Sequence, residues 1–317
     1  MTKKLRESIS EMLTCFPIVT GRLLRNPEGQ WMIKCNDAGV RLVEARIKGS
    51  VENWLKGVDR EKELKLVHWE EMYHKPYFLI TEFEDGWSSN RLELPPPASR
   101  SHFIFGPYGP SLHGKWSSHG RIRPVKSRHH FEALAALFWV CISKLKGAGD
   151  GLIDMSVCSD MRSVLNLDNG FFGNCMVYNR VNSKNLKEHK LPDVAKVIGE
   201  VMSEMDNDGI TDLIEWLEHN DHQSPPTMNG CDLICASLEA VDPYLAVFEE
   251  DLIPVRVSCY VEPVVGVGHV LVLPSPPGEG PFSRVVMVTL PEEEAVRLCE
   301  DDLILNFSPT ILMGVNN

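Results

Sequence analysis

Few residues of this chain stand at spacings that could do chemistry. A histidine base needs an orienting carboxylate within a turn or so, and His189-Lys-Leu-Pro-Asp193 supplies that spacing once. Such a pair would take a proton from a hydroxyl or amine nucleophile. Asp193, however, follows Pro192 at the start of a predicted helix, where a carboxylate suits the helix dipole. Lys187 and Lys190 surround His189 as they would in an exposed loop, so the spacing reads better as accidental. His219 and His222 lie three apart at a predicted helix end, but no acidic or cysteine partner follows at a matching interval. Cys231 and Cys235 are four apart in a segment read as strand and turn, which is not the spacing of a zinc ribbon. No metal ligand set results.

Other motifs resolve into architecture. Gly147, Gly149 and Gly151 follow a helix and lack the Lys and Ser/Thr of a phosphate loop, so they read as a helix-ending turn. Gly278 and Gly280 sit among Pro276, Pro277 and Pro281 and suggest a hairpin loop. No nucleophile-elbow serine occurs. His269 lies between Val267 and Val270 in an apolar strand, and His129-His130 marks a polar helix boundary. Asp160 and Arg162 close a buried strand, where an ion pair holds neighbouring segments.

These residues must be carried by a mixed set of elements. Helical spacing covers residues 5–16, with Ser8 and Glu11 offering a capping box and Pro17 ending the run. Strands are expected at 18–24, 31–35 and 40–45, joined by turns at 26–29 and 36–39, and again at 77–83. From 87 to 128, Pro95, Pro96, Pro97, Pro107 and Pro110 break a stretch with no apolar period, which reads as a linker or as a place where part of the fold is missing. An all-round apolar helix follows at 131–145, then a strand at 153–158 and helices at 194–205 and 210–217. The last third predicts strands at 233–238, 254–261, 269–273, 285–290 and 303–307, with an acidic helix at 292–299. Helices and strands do not alternate strictly, which implies mixed sheets with covering helices.

Composition excludes several classes. The 317 residues are 43% hydrophobic and 24% charged, which is ordinary for a globular protein. Against 32 basic residues stand 44 acidic ones, a formal charge of −12 with no basic stripe for nucleic acid. The apolar run at 133–142 is too short to span a bilayer, and the N-terminus turns polar where a signal peptide needs its apolar core. Nine cysteines, several in apolar segments, fit reduced buried thiols rather than a disulfide scaffold.

Several segments are similar to the BAHD acyltransferases of plants. Residues 5–13 with Phe16-Pro17 and Gly21-Arg-Leu23 resemble that family's opening, and residues 33–45 its first hairpin. Residues 131–139 resemble its buried helix, and Asp160-Met-Arg162 with Phe172-Gly-Asn174 its paired signature. Residues 254–263 and 303–316 look closest to the ECERIFERUM-type branch, implicated in very-long-chain fatty acid elongation for cuticular wax.

The resemblance implies a two-domain α/β fold of the CoA-dependent acyltransferase type with mixed sheets and a shortened N-terminal domain. Its expected parts are an N-terminal domain at 1–94, a Pro-rich crossover at 95–118 and a C-terminal domain at 119–317. Family enzymes carry a His-x-x-x-Asp-Gly general base about a dozen residues beyond the strand matching 77–83. Here that place is taken by Trp87 to Pro97, and the next histidine, His102, is followed by Phe-Ile-Phe-Gly. Phe248-Glu-Glu-Asp-Leu252 replaces the family's Asp-Phe-Gly-Trp-Gly. No catalytic residue is assigned. Asp160, Arg162, Phe172, Gly173 and Asn174 are expected to be architectural. The expected function is a non-catalytic accessory factor in fatty acid elongation, touching a membrane-bound condensing enzyme. It would work in the cytoplasm or peripherally on the endoplasmic reticulum, without a cofactor. The alternatives are an acyltransferase using acyl-CoA as co-substrate, and an inert truncated product.

Overall fold

The computed structural model describes residues 2–37, 39–57, 77–83, 86–90, 101–106, 130–149, 151–168, 171, 173, 175–182, 190–220, 232–247, 254, 257, 259, 266–280 and 282–313. The chain divides into two compact units: Met1–Pro97 with Asp168–Asn174, and Ala98–Leu167 with Cys175–Val315.

In the first unit, α1 (Thr2–Cys15) carries Leu5, Ile9 and Leu13 on its less exposed side. Ser8 lies in the middle of this helix and not at its start, so the expected capping box does not form. Pro17 opens a one-turn helix, α2 (Pro17–Thr20), closed by the Thr20 hydroxyl donating to the Pro17 carbonyl at 3.0 Å. Strand structure therefore begins at Arg22 rather than at residue 18. β1 (Arg22–Arg25) and β2 (Trp31–Lys34) form an antiparallel hairpin. β3 (Arg41–Ile47) does not continue it as a second hairpin. It pairs in parallel with β4 (Tyr77–Phe83), with α3 (Val51–Gly57) in the connection. The turn signal at 36–39 fixed a change of direction, not a pairing partner. β5 (Gly86–Asn90) pairs antiparallel with β4. Its Gly-Trp-Ser-Ser-Asn sequence lacks apolar alternation, so nothing local marks it as a strand.

The second unit is built on a seven-stranded mixed sheet. β6 (Ser101–Gly106) falls within the stretch read as a linker or a gap in the fold, yet it is paired on both edges. α4 (His130–Leu145) follows, then β7 (Met155–Asp160), β8 (Met176–Val181), α5 (Leu191–Glu204), α6 (Asn207–His219) and β9 (Leu233–Ser237). A 3-10 turn (Pro243–Leu245) precedes β10 (Gly268–Pro274), β11 (Arg284–Leu290), α7 (Glu292–Cys299), α8 (Asp302–Leu305) and β12 (Thr310–Met313). The strand order is β12-β6-β11-β10-β9-β7-β8, with β10, β9 and β7 mutually parallel. The central strands are covered on both faces, the parallel β10 and the antiparallel β11 alike, which is why Leu271 to Leu273 and Val285 to Val288 run continuously apolar.

α4 is buried nearly all round, and Leu134, Leu137, Phe138, Trp139 and Ile142 fill one face of the sheet with Val270, Val272, Val286 and Val288. Trp139 Nε1 donates to the Ile153 carbonyl at 2.8 Å, so the largest side chain in this core also satisfies a loop. Gly147, at φ 71°, turns the chain out of α4 as the glycine pattern required. On the opposite face Cys158, Ala236, Leu273 and Met287 form a smaller cluster.

Two helices differ from expectation for one physical reason. Asp206 Oδ1 accepts from the amides of Asp208 and Gly209, starting α6 three residues before the apolar period shows. Asp301 Oδ1 accepts from the Leu303 amide, turning the predicted strand at 303–307 into α8. In both, a side-chain cap decides what a short apolar run leaves ambiguous. The predicted strand at 254–261 lies largely outside the described residues.

Candidate functional site

Asp160 ends β7, and its carboxylate is bound locally. Oδ1 accepts from the Arg162 amide at 2.9 Å and Oδ2 from Arg162 Nη1 at 2.7 Å. Both side chains remain partly exposed, so this pair contributes about 0–1 kcal/mol and acts chiefly on geometry. Between them the buried Met161 donates its amide to the Cys175 carbonyl at 2.8 Å, closing the base of the β7–β8 connection. Within that connection Gly173 sits under the Phe171 ring. A Cβ there would come within 2.9 Å of two ring carbons. Phe172 and Asn174 lie outside the described residues.

His189 also lies outside the described residues. Asp193 is in the first turn of α5, exposed, with its amide donating to the Lys190 carbonyl at 3.0 Å. His219 Nδ1 lies 2.7 Å from the Glu215 carbonyl oxygen, which can only accept, so this nitrogen carries the proton. His222 and Cys231 are not described. Cys235 is fully buried in β9, where burial pushes its thiol up, away from the thiolate a metal requires. Among the described residues no group of three or more His, Cys, Asp or Glu side chains could hold a metal ion.

His269 is buried in β10, in register with Ile234 on one side and Thr289 on the other. His130 opens α4 with its ring edge-on to Phe282 at 5.4 Å. Arg284 Nη2 approaches His130 Nδ1 at 3.3 Å and must be the donor, so this nitrogen accepts. Arg284 is itself held by Glu239, which also accepts from the Ser237 hydroxyl. A histidine base is oriented by a carboxylate on its N–H; at His130 a guanidinium occupies that direction. The chain Glu239–Arg284–His130 is a fastening between the turn that follows β9, β11 and α4.

A second polar cluster had no signal in the sequence. The buried Asp232 accepts from the Ser156 hydroxyl at 2.7 Å, and Arg180 Nε lies 3.9 Å from the same carboxylate oxygen. Arg180 also pairs with Asp154, whose carbonyl accepts the Leu233 amide at 2.9 Å. Ser156 and Asp232 are 76 residues apart and meet only because β7 and β9 run parallel.

The family model described as "Transferase family" matches residues 1–89 and 113–302. The chain belongs to this family, the BAHD acyltransferases. It is 24% identical over an alignment of 347 residues to the protein named ECERIFERUM 26-like of Arabidopsis thaliana, spanning 88% of this chain and 78% of the relative. A shorter match, 36% identical over 74 residues, joins it to ECERIFERUM 26 of the same plant, covering 23% of this chain and 16% of that one. Among solved structures, vinorine synthase superposes with a TM-score of 0.68 at 17% identity, over 94% of this chain and 84% of that one. TRI101 of F. sporotrichioides, in complex with coenzyme A and T-2, gives 0.68 at 14% identity, over 98% and 91%. These likenesses give the fold: the mixed α/β acyltransferase architecture expected from the sequence.

Proposed function

We propose that this chain works without ordinary acyl transfer, as an accessory factor in very-long-chain fatty acid elongation for cuticular wax. The observation that carries this reading is the interruption of the family match between residues 89 and 113. It opens at the end of the β4–β5 hairpin, where family enzymes place the His-x-x-x-Asp-Gly base, and residues 84–101 contain no histidine. Forfeiting a general base costs typically about 10²–10⁴-fold in rate. The Phe248–Leu252 replacement of the second family motif and the ECERIFERUM relative point the same way. The partner would be a membrane-bound condensing enzyme at the cytosolic face of the endoplasmic reticulum. No helix among the described residues is long and apolar enough to cross a membrane, so the association would be peripheral.

Co-expression with a plant condensing enzyme in yeast is the direct test: longer fatty acids should accumulate only when both chains are present. Acylation of an alcohol or amine by the purified chain from an acyl-CoA, abolished by His189→Ala, would overturn the reading.

The second reading is a CoA-dependent acyltransferase. It is favoured by the coenzyme A held in the TRI101 complexes that share this fold. Acyl-CoA would then be the co-substrate, and positioning of donor and acceptor would supply most of the acceleration.

A further inference from the structure

We propose that the outer side of α6 docks a basic, membrane-adjacent segment of a partner protein. The charge of the chain is unevenly laid out. Between Lys196 and Arg256 lie fourteen Asp and Glu and not one Lys or Arg, so the whole excess behind the net charge of −12 falls in this stretch. Three of those carboxylates are matched inside the fold: Glu200 by Lys196, Asp232 by Arg180 and Glu239 by Arg284. Asp208, Asp212, Glu215 and Glu218 on α6 are exposed and meet no cation among the described residues.

These charges weaken the free helix. Asp212, Glu215 and Glu218 follow one another at intervals of three, where like charges repel. Glu218 also stands in the last turn, at the negative end of the helix dipole. A cation brought alongside relieves both.

Apolar side chains stand among the same carboxylates. Ile210 and Leu213 seat the first half of α6 against Met161 and Val177. One turn on, Ile214 and Trp216 are 41% and 36% exposed, and neither joins a buried cluster. Helical spacing puts Trp216 beside Asp212 and Ile214 beside Glu218, so each apolar group is edged by a carboxylate.

This mixture selects the occupant. Nucleic acid, anionic lipid and a second copy of the same face are all repelled by the charge. A bare metal ion or polyamine would leave Ile214 and Trp216 in water. A Lys/Arg-rich segment with apolar side chains satisfies both, its cations meeting the carboxylates or the Trp216 ring and its apolar groups covering Ile214. Segments flanking membrane helices on the cytoplasmic side carry that excess of Lys and Arg. The inference deepens the accessory reading and rests on it for the partner, since the membrane-bound condensing enzyme would present the basic segment.

The test is flotation of the purified full chain with yeast microsomes that do or do not carry the plant condensing enzyme. The chain should float with the enzyme-bearing microsomes alone, and less as salt is raised. Asp212→Asn/Glu215→Gln/Glu218→Gln should weaken attachment by about ten-fold while melting no lower than the parent chain, a combination that a structural role for these residues would not give. Trp216→Ser should lose about as much, whereas Glu292→Gln/Glu293→Gln, exposed on α7, should lose nothing. Glu215→Lys/Glu218→Lys should recover attachment to an enzyme whose membrane-adjacent Lys and Arg are changed to Glu. Undiminished attachment of the triple variant, no flotation of the parent chain with enzyme-bearing microsomes, or equal flotation with bare ones would overturn the proposal. Fatty acid lengthening on co-expression that persists with the triple variant would also remove this docking face, yet leave the accessory reading standing. Attachment lost by the triple variant, with no lengthening by the parent chain, would keep the docking face and remove the accessory reading.

Discussion

The Ser156 hydroxyl donates a 2.7 Å hydrogen bond to the buried Asp232 carboxylate, tying β7 to the residue that opens β9. Arg180 on β8 leans on the same carboxylate and on Asp154, so three neighbouring strands share one charged fastening. A carboxylate this far from water needs its donors.

Ser156→Ala removes the direct donor and leaves Asp232 to Arg180 alone. The expected loss is about 1–3 kcal/mol of folding stability, read as a lower urea midpoint with an unchanged slope. A neutral result would mean that water replaces the hydroxyl.

Asp301 joins two elements, α8 and α4, in the same way. It caps α8 through the Leu303 amide, accepts from Lys144 Nζ at 3.2 Å and faces the Cys141 thiol at 3.7 Å. Lys144 is largely exposed, so the ion pair adds little and the cap dominates. Asp301→Ala should cost about 1–2 kcal/mol, and Asp301→Asn, which still caps, less than half of that. Thermal melts of the two variants separate cap from charge.

Buried thiols set the alkaline limit of the fold. Burial pushes Cys235 up, burial with the Asp301 carboxylate raises Cys141, and burial with Glu300 carries Cys299 to about 12. Unfolded cysteines ionise near the ordinary value of 9.0. Protons therefore stay on the folded chain after they have left the unfolded one, so stability is whole below pH 9 and declines as pH rises beyond it. Cys235→Ala should lessen that alkaline slope by one proton, measured from urea midpoints across the pH range. Alkylation at neutral pH should modify the exposed Cys15 and Cys35 and spare Cys141, Cys235 and Cys299 until the protein unfolds.

How much of this was legible in the sequence depends on whether the signal is local. The helix at 131–145 and the strands at 269–273 and 285–290 carry long apolar runs, and the structure places each within a residue or so. β6 lies among prolines and arginines and becomes a strand only because β11 and β12 pair with it. The same holds for the polar sites. Asp160 and Arg162 are two apart and visible as a pair, while Ser156, Arg180 and Asp232 meet through strand pairing that no spacing encodes. His130 looked like a helix boundary, which it is, but its link to Arg284 spans 154 residues. Family motifs supplied the architecture because they are read as ordered segments, not as contacts.

Gly266 gives the most demanding prediction, because two independent constraints meet there. Its φ of 76° lies where residues with a Cβ are strained, and it directs the chain into β10. A Cβ at this position would come within 2.0 Å of the Asp232 carbonyl oxygen and 3.1 Å of its carbon, both backbone atoms with no side-chain freedom to yield. Gly266→Ala must therefore displace either the start of β10 or the residue holding Ser156 and Arg180. The expected cost exceeds about 2 kcal/mol, more than backbone strain alone, and should appear as lost cooperativity or aggregation on melting. Gly278→Ala provides the contrast: it shares the positive φ, at 99°, but a Cβ there meets nothing within 4 Å. It should cost only the strain, about 1 kcal/mol, so a similar loss at both positions would mean that Asp232 is free to move.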